Sequence, residues 1–257
     1  MPSQPQDYCP NYVVHKFGRN PAIAKDTTRD IRFAEDDWTV PTSAVGLDMS
    51  SSDATDTQPV ELQFSEAGYT HRVETRNLNG QSRVPFPDGL MVFRGKNKSP
   101  VAAFAGDVYV YDRTETTVTA GVPQTAGKIQ IKIGAGLNQT QTTTWMVPKG
   151  HRAWIVGAIL TLNELAVGTS REAAIELQVQ EVQGTAAPFL IKGKFGLQSA
   201  GTSALPIQFS EDTDNPNKLD YPISDGMTEG CMIKWRASAT GATCDVSVDY
   251  KIRVFEC

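Results

Sequence analysis

The sequence predicts an all-β protein in which an extended N-terminal arm precedes two β-sandwich or jelly-roll-like domains. Three observations carry this: short β-prone segments between turn clusters from Trp38 onward, apolar alternation of period two, and poor helical patterning. The clearest alternation closes the chain. Val246, Val248, Tyr250, Ile252 and Val254 fall on one side, with Asp245, Ser247, Asp249, Lys251 and Arg253 on the other. A one-residue slip would expose the whole apolar set, so this strand's register is well fixed.

Residues 1–37 read as the arm. They hold three prolines in the first ten positions, then Asn20-Pro21 and mixed charge without clear periodicity. Such an arm frays unless a neighbouring subunit holds it down, and its removal is expected to leave a folded chain that assembles less well. The N-terminal β-domain spans 38–137. In it Val60 to Phe64 alternates, Asn77-Leu-Asn-Gly80 supplies a turn, Leu90 to Phe93 is a short apolar strand, and Asp107 to Asp112 is β-branched and aromatic. Ile129, Ile131 and Ile133 alternate with Gln130 and Lys132, which places three isoleucines on one face.

The polar run Gly134 to Thr144 reads as the link between domains, and the C-terminal β-sandwich covers 138–257. Trp154 to Leu162 is nearly all apolar, as in a central strand buried on both faces, while Ile175, Leu177 and Val179 alternate as in a half-buried one. Lys192 to Phe195 and Met232 to Trp235 are shorter strand candidates; Glu164 to Glu172 is either a helical turn or a loop. There is also an internal echo. Trp38-Thr-Val-Pro41 resembles Trp145-Met-Val-Pro148, and each precedes a Glu-Leu-Gln segment, at Glu61 and Glu176.

At 257 residues, 40% hydrophobic and 21% charged, the chain can bury a full core. Its net charge of -5 supplies no positive field for phosphate backbones, so no nucleic-acid partner is expected. The longest apolar run, Ala153 to Leu162, falls short of the roughly 18 residues of a membrane helix. No membrane partner is expected either. The N-terminus lacks the cationic and apolar regions of a signal peptide, which suggests synthesis in a cytosol without export.

Reactive constellations are missing from the pattern, so no enzyme, catalytic residue, cofactor or metal is assigned. His15, His71 and His151 have no ligand spacing, and no Gly-x-Ser-x-Gly elbow occurs. Gly95-Lys-Asn-Lys-Ser99 lacks the glycine and Gly-Lys-Ser order of a phosphate loop and reads as a basic turn. Gly134-x-Gly136 lacks the third glycine of a dinucleotide fingerprint. Cys9, Cys231, Cys244 and Cys257 are too dispersed for a zinc knuckle; a hairpin turn near Gly241 would keep Cys231 from bridging Cys244. Asp212, Asp214 and Asp220 offer oxygens for calcium, but Pro216 sits inside the loop and no glutamate closes it. A solvated loop and a calcium site both stay open there. Trp145, Trp154 and Trp235 could stack on sugar, though their apolar strands favour core packing. The Asn97 and Asn138 glycosylation patterns have no consequence without export.

The stretch Trp145-Met-Val-Pro-Lys-Gly-His-Arg-Ala-Trp-Ile155 resembles a strand-turn-strand segment of virion structural proteins from tailed, marine-type bacteriophages. Val73 to Gly80, Gly106-Asp-Val108 and the closing Val246 to Glu256 resemble the same family, so the likeness spans roughly residues 45 to 256. It implies a virion component with no catalytic residues. The expected role is a capsid decoration or cement protein, a homo-oligomer such as a trimer that contacts the major capsid protein, assembled in the host bacterial cytoplasm. The alternative is a tail or fibre component that binds a host-surface glycan. The long polar stretch Gly196 to Leu219 departs from the family's compact charged segment and reads as a contact loop.

Overall fold

The computed structural model of the chain describes residues 11–33, 41, 43–163, 170–181, 188–200, 207–210 and 226–256. Strands dominate it, as the alternation predicts, and among the described residues the one helical piece is the 3-10 turn Ala126–Lys128. In chain order the strands are β1 (Asn11–Ile23), β2 (Thr28–Asp30), β3 (Val45–Ser51), β4 (Pro59–Ser65), β5 (His71–Asn77), β6 (Val84–Gly89), β7 (Met91–Asn97) and β8 (Val108–Asp112). A small hairpin, β9 (Val118–Thr119) and β10 (Val122–Pro123), then leads to β11 (Ile129–Ile133) and β12 (Trp145–Met146). The last six are β13 (His151–Asn163), β14 (Ser170–Gln180), β15 (Leu190–Ala200), β16 (Ile207–Ser210), β17 (Met232–Thr240) and β18 (Cys244–Glu256).

Two sandwiches result. In the first, the sheet β11-β8-β3-β6 faces β5-β4-β7 across Leu47, Val60, Leu62, Phe64, Val110 and Ile131. In the second, β1-β18-β13-β16 faces β12-β17-β14-β15 across Leu160, Ile175, Leu177, Trp235, Val248 and Tyr250. Each is wound the same way. The ribbon β3–β4 pairs antiparallel with β8–β7, and the ribbon β13–β14 pairs with β18–β17, so in both cases two paired strands cross together from one sheet to the other. The hairpin partner of β4 is β5 and that of β14 is β15; β6 flanks β3 as β16 flanks β13. This paired-ribbon wrap is the logic of a jelly roll.

The Glu-Leu-Gln echo falls on the corresponding strands β4 and β14. Gln63 donates to Glu61 at 3.2 Å and Gln178 to Glu176 at 3.1 Å, while each glutamate meets a lysine directly across, Lys96 at 2.9 Å on β7 and Lys194 at 3.3 Å on β15. The companion Trp38 lies outside the described residues. At the ribbon corner of the first unit, buried Asp56 accepts bonds from Ser51 Oγ (2.6 Å), Ala105 N (2.8 Å) and Gly106 N (3.0 Å). These bonds tie the β3–β4 loop to the β7–β8 loop, and they satisfy backbone donors that the bend would otherwise leave bare.

Residues 11–33 correct the expected arm. β1 pairs with β18 from Asn11↔Phe255 to Ile23↔Cys244, and β2 adds to β17, so this segment is an integral sheet strand and its neighbour. Its periodicity was hidden because the inward positions are occupied by Lys16, Gly18 and Asn20, which carry no apolar signal. Gly18 is required there: a Cβ would come within 2.4 Å of the Thr143 side chain and 2.7 Å of the Ile31 carbonyl.

The polar link is likewise not a surface linker over its last residues, because Thr140, Thr142, Thr143 and Thr144 are buried. Thr143 alone bonds three separate parts of the chain. Its hydroxyl donates to Ile31 O at 3.0 Å, its Oγ1 accepts from Trp235 N at 3.2 Å, and its carbonyl accepts from Tyr250 Oη at 2.5 Å. Threonine hydroxyls here do the pairing that a strand ladder does elsewhere.

Three smaller expectations also change. β13 buries Ala153, Ala158, Leu160 and Leu162 but leaves Ile159 exposed and Trp154 half-buried, so one face and not both is covered. A bulge between Ile155 and Gly157 resets its phase. On β11 a shift between Ile129 and Ile131 turns Ile129 away from the core that takes Ile131 and Ile133. The turn at Gly241 is no hairpin: β17 and β18 belong to different sheets, and Cys244 sits opposite Ile23. Cys231 and Cys244 are free and buried, as the sequence suggested by a different geometry. Cys9 and Cys257, the 164–169 part of the helical-turn candidate, Asp212 to Asp220, and 201–206 and 211–219 of the contact loop lie outside the described residues.

Two measurements follow from this packing. Deleting residues 1–33 should abolish cooperative thermal unfolding, the reverse of the arm expectation; a truncated chain with an intact sharp transition would show that β1 is dispensable. Thr143→Val keeps the shape but leaves the Trp235 N–H without its partner, and should cost about 1–3 kcal/mol in chemical denaturation, with Thr143→Ser largely restored.

Candidate assembly face

Inward alternation on β1, β18 and β13 leaves the complementary residues on the outer face of their sheet. The register sets them in rows: Val13 beside Arg253 beside Trp154, His15 beside Lys251, Phe17 beside Asp249 beside Ile159, and Arg19 beside Ser247 beside Thr161. Val13 is 55% and Ile159 39% exposed, and Trp154 meets Phe255 edge to face with centroids 4.9 Å apart. Apolar and charged side chains therefore interleave over the outer face of this sheet. Scattered apolar residues are ordinary on a protein surface, whereas a row-by-row set on one sheet suits contact with another macromolecule.

Two ion pairs hold some of the charged members. Arg19 grips Asp245 through Nε (3.0 Å) and Nη2 (2.6 Å), and Asn163 adds a bond to Asp245 at 3.2 Å. The hydrogen bond to Asp245 raises the Arg19 pKa above its ordinary value. His15 pairs with Asp249. The bidentate pair holds buried Asp245 with full satisfaction, while the exposed His15 pair contributes little to stability.

The three histidines do not converge. His15 lies on this face; His151 is half-buried, its Nδ1 held against the Lys149 carbonyl at 2.7 Å and its ring 6.1 Å from Tyr12. His71 packs between the rings of Phe93 (4.6 Å) and Trp145 (5.8 Å), and its burial pushes it down to about 4. Among the described residues no three His, Cys, Asp or Glu side chains gather to hold a metal. Trp145 and Trp235 are buried core residues, which removes them as sugar platforms and leaves Trp154. The basic turn is the end of β7, where Lys96 and Lys98 both pair with Glu61, at 2.9 and 3.2 Å. Gly134 packs against Phe33 and Gly136 makes a left-handed turn with φ of 74°. Asn97 bonds the Ala102 carbonyl at 2.7 Å, whereas Asn138 is exposed. Among the described residues no helix is long and apolar enough to cross a membrane.

The face has no signal in the sequence until β1 is known to be a strand, because Val13, Phe17, Trp154, Ile159 and Phe255 form one set only through the pairing of β1, β18 and β13.

No family model and no curated protein matches the chain. Among solved structures it is similar to a chain of Desmodium yellow mottle tymovirus, at 13% identity and a TM-score of 0.23, over 41% of this chain and 65% of that one. It thus spans less than two thirds of that chain. A second likeness is to the cowpea mosaic virus top component, naturally occurring empty particles, at 9% identity and TM-score 0.24 over 82% of each chain. A third is to broad bean stain virus, at 11% and 0.22, over 84% of this chain and 85% of that one. At these TM-scores the likenesses carry no argument, and the functional reading rests on the chain's own geometry.

His71 gives a pH test. Between about pH 6.5 and about 4 the unfolded chain takes up this proton and the folded chain does not, so stability falls as the pH falls through that window. The loss from this one group should reach at most about 3 kcal/mol, and His71→Phe should remove it; parallel pH profiles for the two proteins in denaturant unfolding would count against the assignment.

Proposed function

We propose that this chain is a structural component of a virion, and within that class a capsid decoration or cement protein of a tailed bacteriophage. It acts by oligomerisation and surface contact. The observation that carries this reading is the outer face of the β1-β18-β13 sheet, where Val13, Phe17, Trp154, Ile159 and Phe255 stand among paired charges. Apolar anchors ringed by polar groups are the usual anatomy of a protein contact surface. Partners in this reading are further copies of the chain, as in a trimer, and other virion proteins such as the major capsid protein, with assembly in the host bacterial cytoplasm.

The chain divides in this reading into an N-terminal β unit over 38–137 and a C-terminal β-sandwich over 138–257, with 11–33 joined to the second by strand pairing. A second reading, a tail or fibre component that binds a host-surface glycan, draws on Trp154, the half-buried tryptophan beside Phe255 on the same face. Copy number separates the two: hundreds per particle mean a capsid role, a few or a dozen a tail role.

Ile159→Asp tests the face without touching the core, since Ile159 points outward. In sedimentation across a concentration series the wild-type chain should self-associate and the variant should do so at least about tenfold more weakly, with an unchanged circular dichroism spectrum. Identical association of the two would remove this face from assembly.

A further inference from the structure

A small cavity of about 110 Å³ opens where β1 meets the first sandwich, lined by His15, Lys16 and Phe17 of β1, Arg94 of β7, and Gln139 and Thr140 of the connecting segment. Its lining brings two cations, Lys16 and Arg94, close together. Several other basic side chains meet acids: Arg19 has Asp245, Lys96 and Lys98 have Glu61, Lys132 has Asp107, Lys234 has Asp30. Among the described residues neither Lys16 nor Arg94 has a carboxylate within ion-pair reach, and the nearby Asp249 is engaged by His15.

Lys16 is only 6% exposed, which makes its lack of an acid costly. Its ammonium donates to the Phe93 carbonyl and lies 5.9 Å from the centre of the Phe93 ring, so two of its three donors remain to be used. Burial and the charge of Arg94 push it down to about 7, the direction expected of a cation facing a second cation with no anion between them. Arg94 spends one donor on Gln139 Oε1 at 3.2 Å. Thr140 Oγ1 accepts from Gly95 N at 3.1 Å, which leaves its own proton available.

We propose that this cavity binds one small oxyanion, a carboxylate or a phosphate, held by Arg94 and Lys16 with the Thr140 hydroxyl as a neutral donor. Size limits the ligand. Pockets for drug-sized molecules run to about 300–1,000 Å³, so this one takes a single oxyanion and excludes a sugar ring or a nucleotide. The bound anion bridges elements of both sandwiches, β1 from the second and β7 from the first, so it acts as a clip between them as well as a neutraliser. The same chemistry has two sources: a free inorganic ion, or a carboxylate side chain of a second copy of this chain.

The test uses the full chain and inorganic phosphate in isothermal titration calorimetry at constant ionic strength, with thermal unfolding in phosphate against chloride. One phosphate should bind per chain and raise the melting temperature; Arg94→Gln should weaken binding about tenfold or more and remove that rise. Thr140→Val serves as the milder second variant and should weaken binding less. If the occupant is a second copy's carboxylate, phosphate competes with self-association in sedimentation and Arg94→Gln weakens it; if it is a free ion, neither affects self-association. Either result with Arg94-dependent phosphate binding supports the site. Absence of phosphate binding, or equal binding by wild type and Arg94→Gln, overturns it.

Discussion

Burying a stretch of irregular backbone obliges every peptide group in it to find a partner, and Thr143 is where this chain meets that obligation. Ile31, Trp235 and Tyr250 come from three separate parts of the sequence, and each is bonded to Thr143. The close approach of Gly18 to the same side chain brings β1 in as well. Without those bonds the connecting segment would have to lie on the surface, and the two sheets of the second sandwich would lose the contact that spaces them.

β1 shows how one strand can serve two purposes. Its outward residues Val13 and Phe17 contribute to the candidate assembly face, while its inward Lys16 projects toward Phe93 and the first sandwich. Period-two geometry makes this separation automatic, because neighbouring residues point to opposite faces. A strand that carried only apolar residues inward would seal the seam between the sandwiches; this one leaves a basic cavity in it.

Much of the fold was legible. The strands β4, β14 and β18 are plain in the alternation, since their inward residues are apolar and their outward residues mostly polar, and β8 is plain in its β-branched and aromatic run. β1 was not, because Lys16, Gly18 and Asn20 take inward positions where packing against Thr143 and Phe93 matters more than hydrophobicity. The threonine run failed for a related reason: polar residues signal a surface link unless their hydroxyls replace missing backbone partners, which only the three-dimensional arrangement reveals. The Gly241 turn misled because sequence spacing cannot tell a hairpin from a crossing between sheets. Of the candidate sites, the outward face needed only the strand assignments, whereas the basic cavity depends on residues 15–17, 94 and 139–140 meeting across the seam, a juxtaposition with no local signature.

The pairing of β1 with β18 joins residues such as His15 and Asp249, separated by 234 positions along the chain. On a ribosome β1 therefore emerges long before the strand that completes it, and it must wait, unpaired, while the whole first sandwich is synthesised. Closing so distant a pair makes the final step of folding entropically slow and leaves a long strand open to wrong partners in the interval. The polar inward residues that concealed β1 from sequence reading also make it a poor template for misassociation, so the same composition that hides the strand protects the nascent chain.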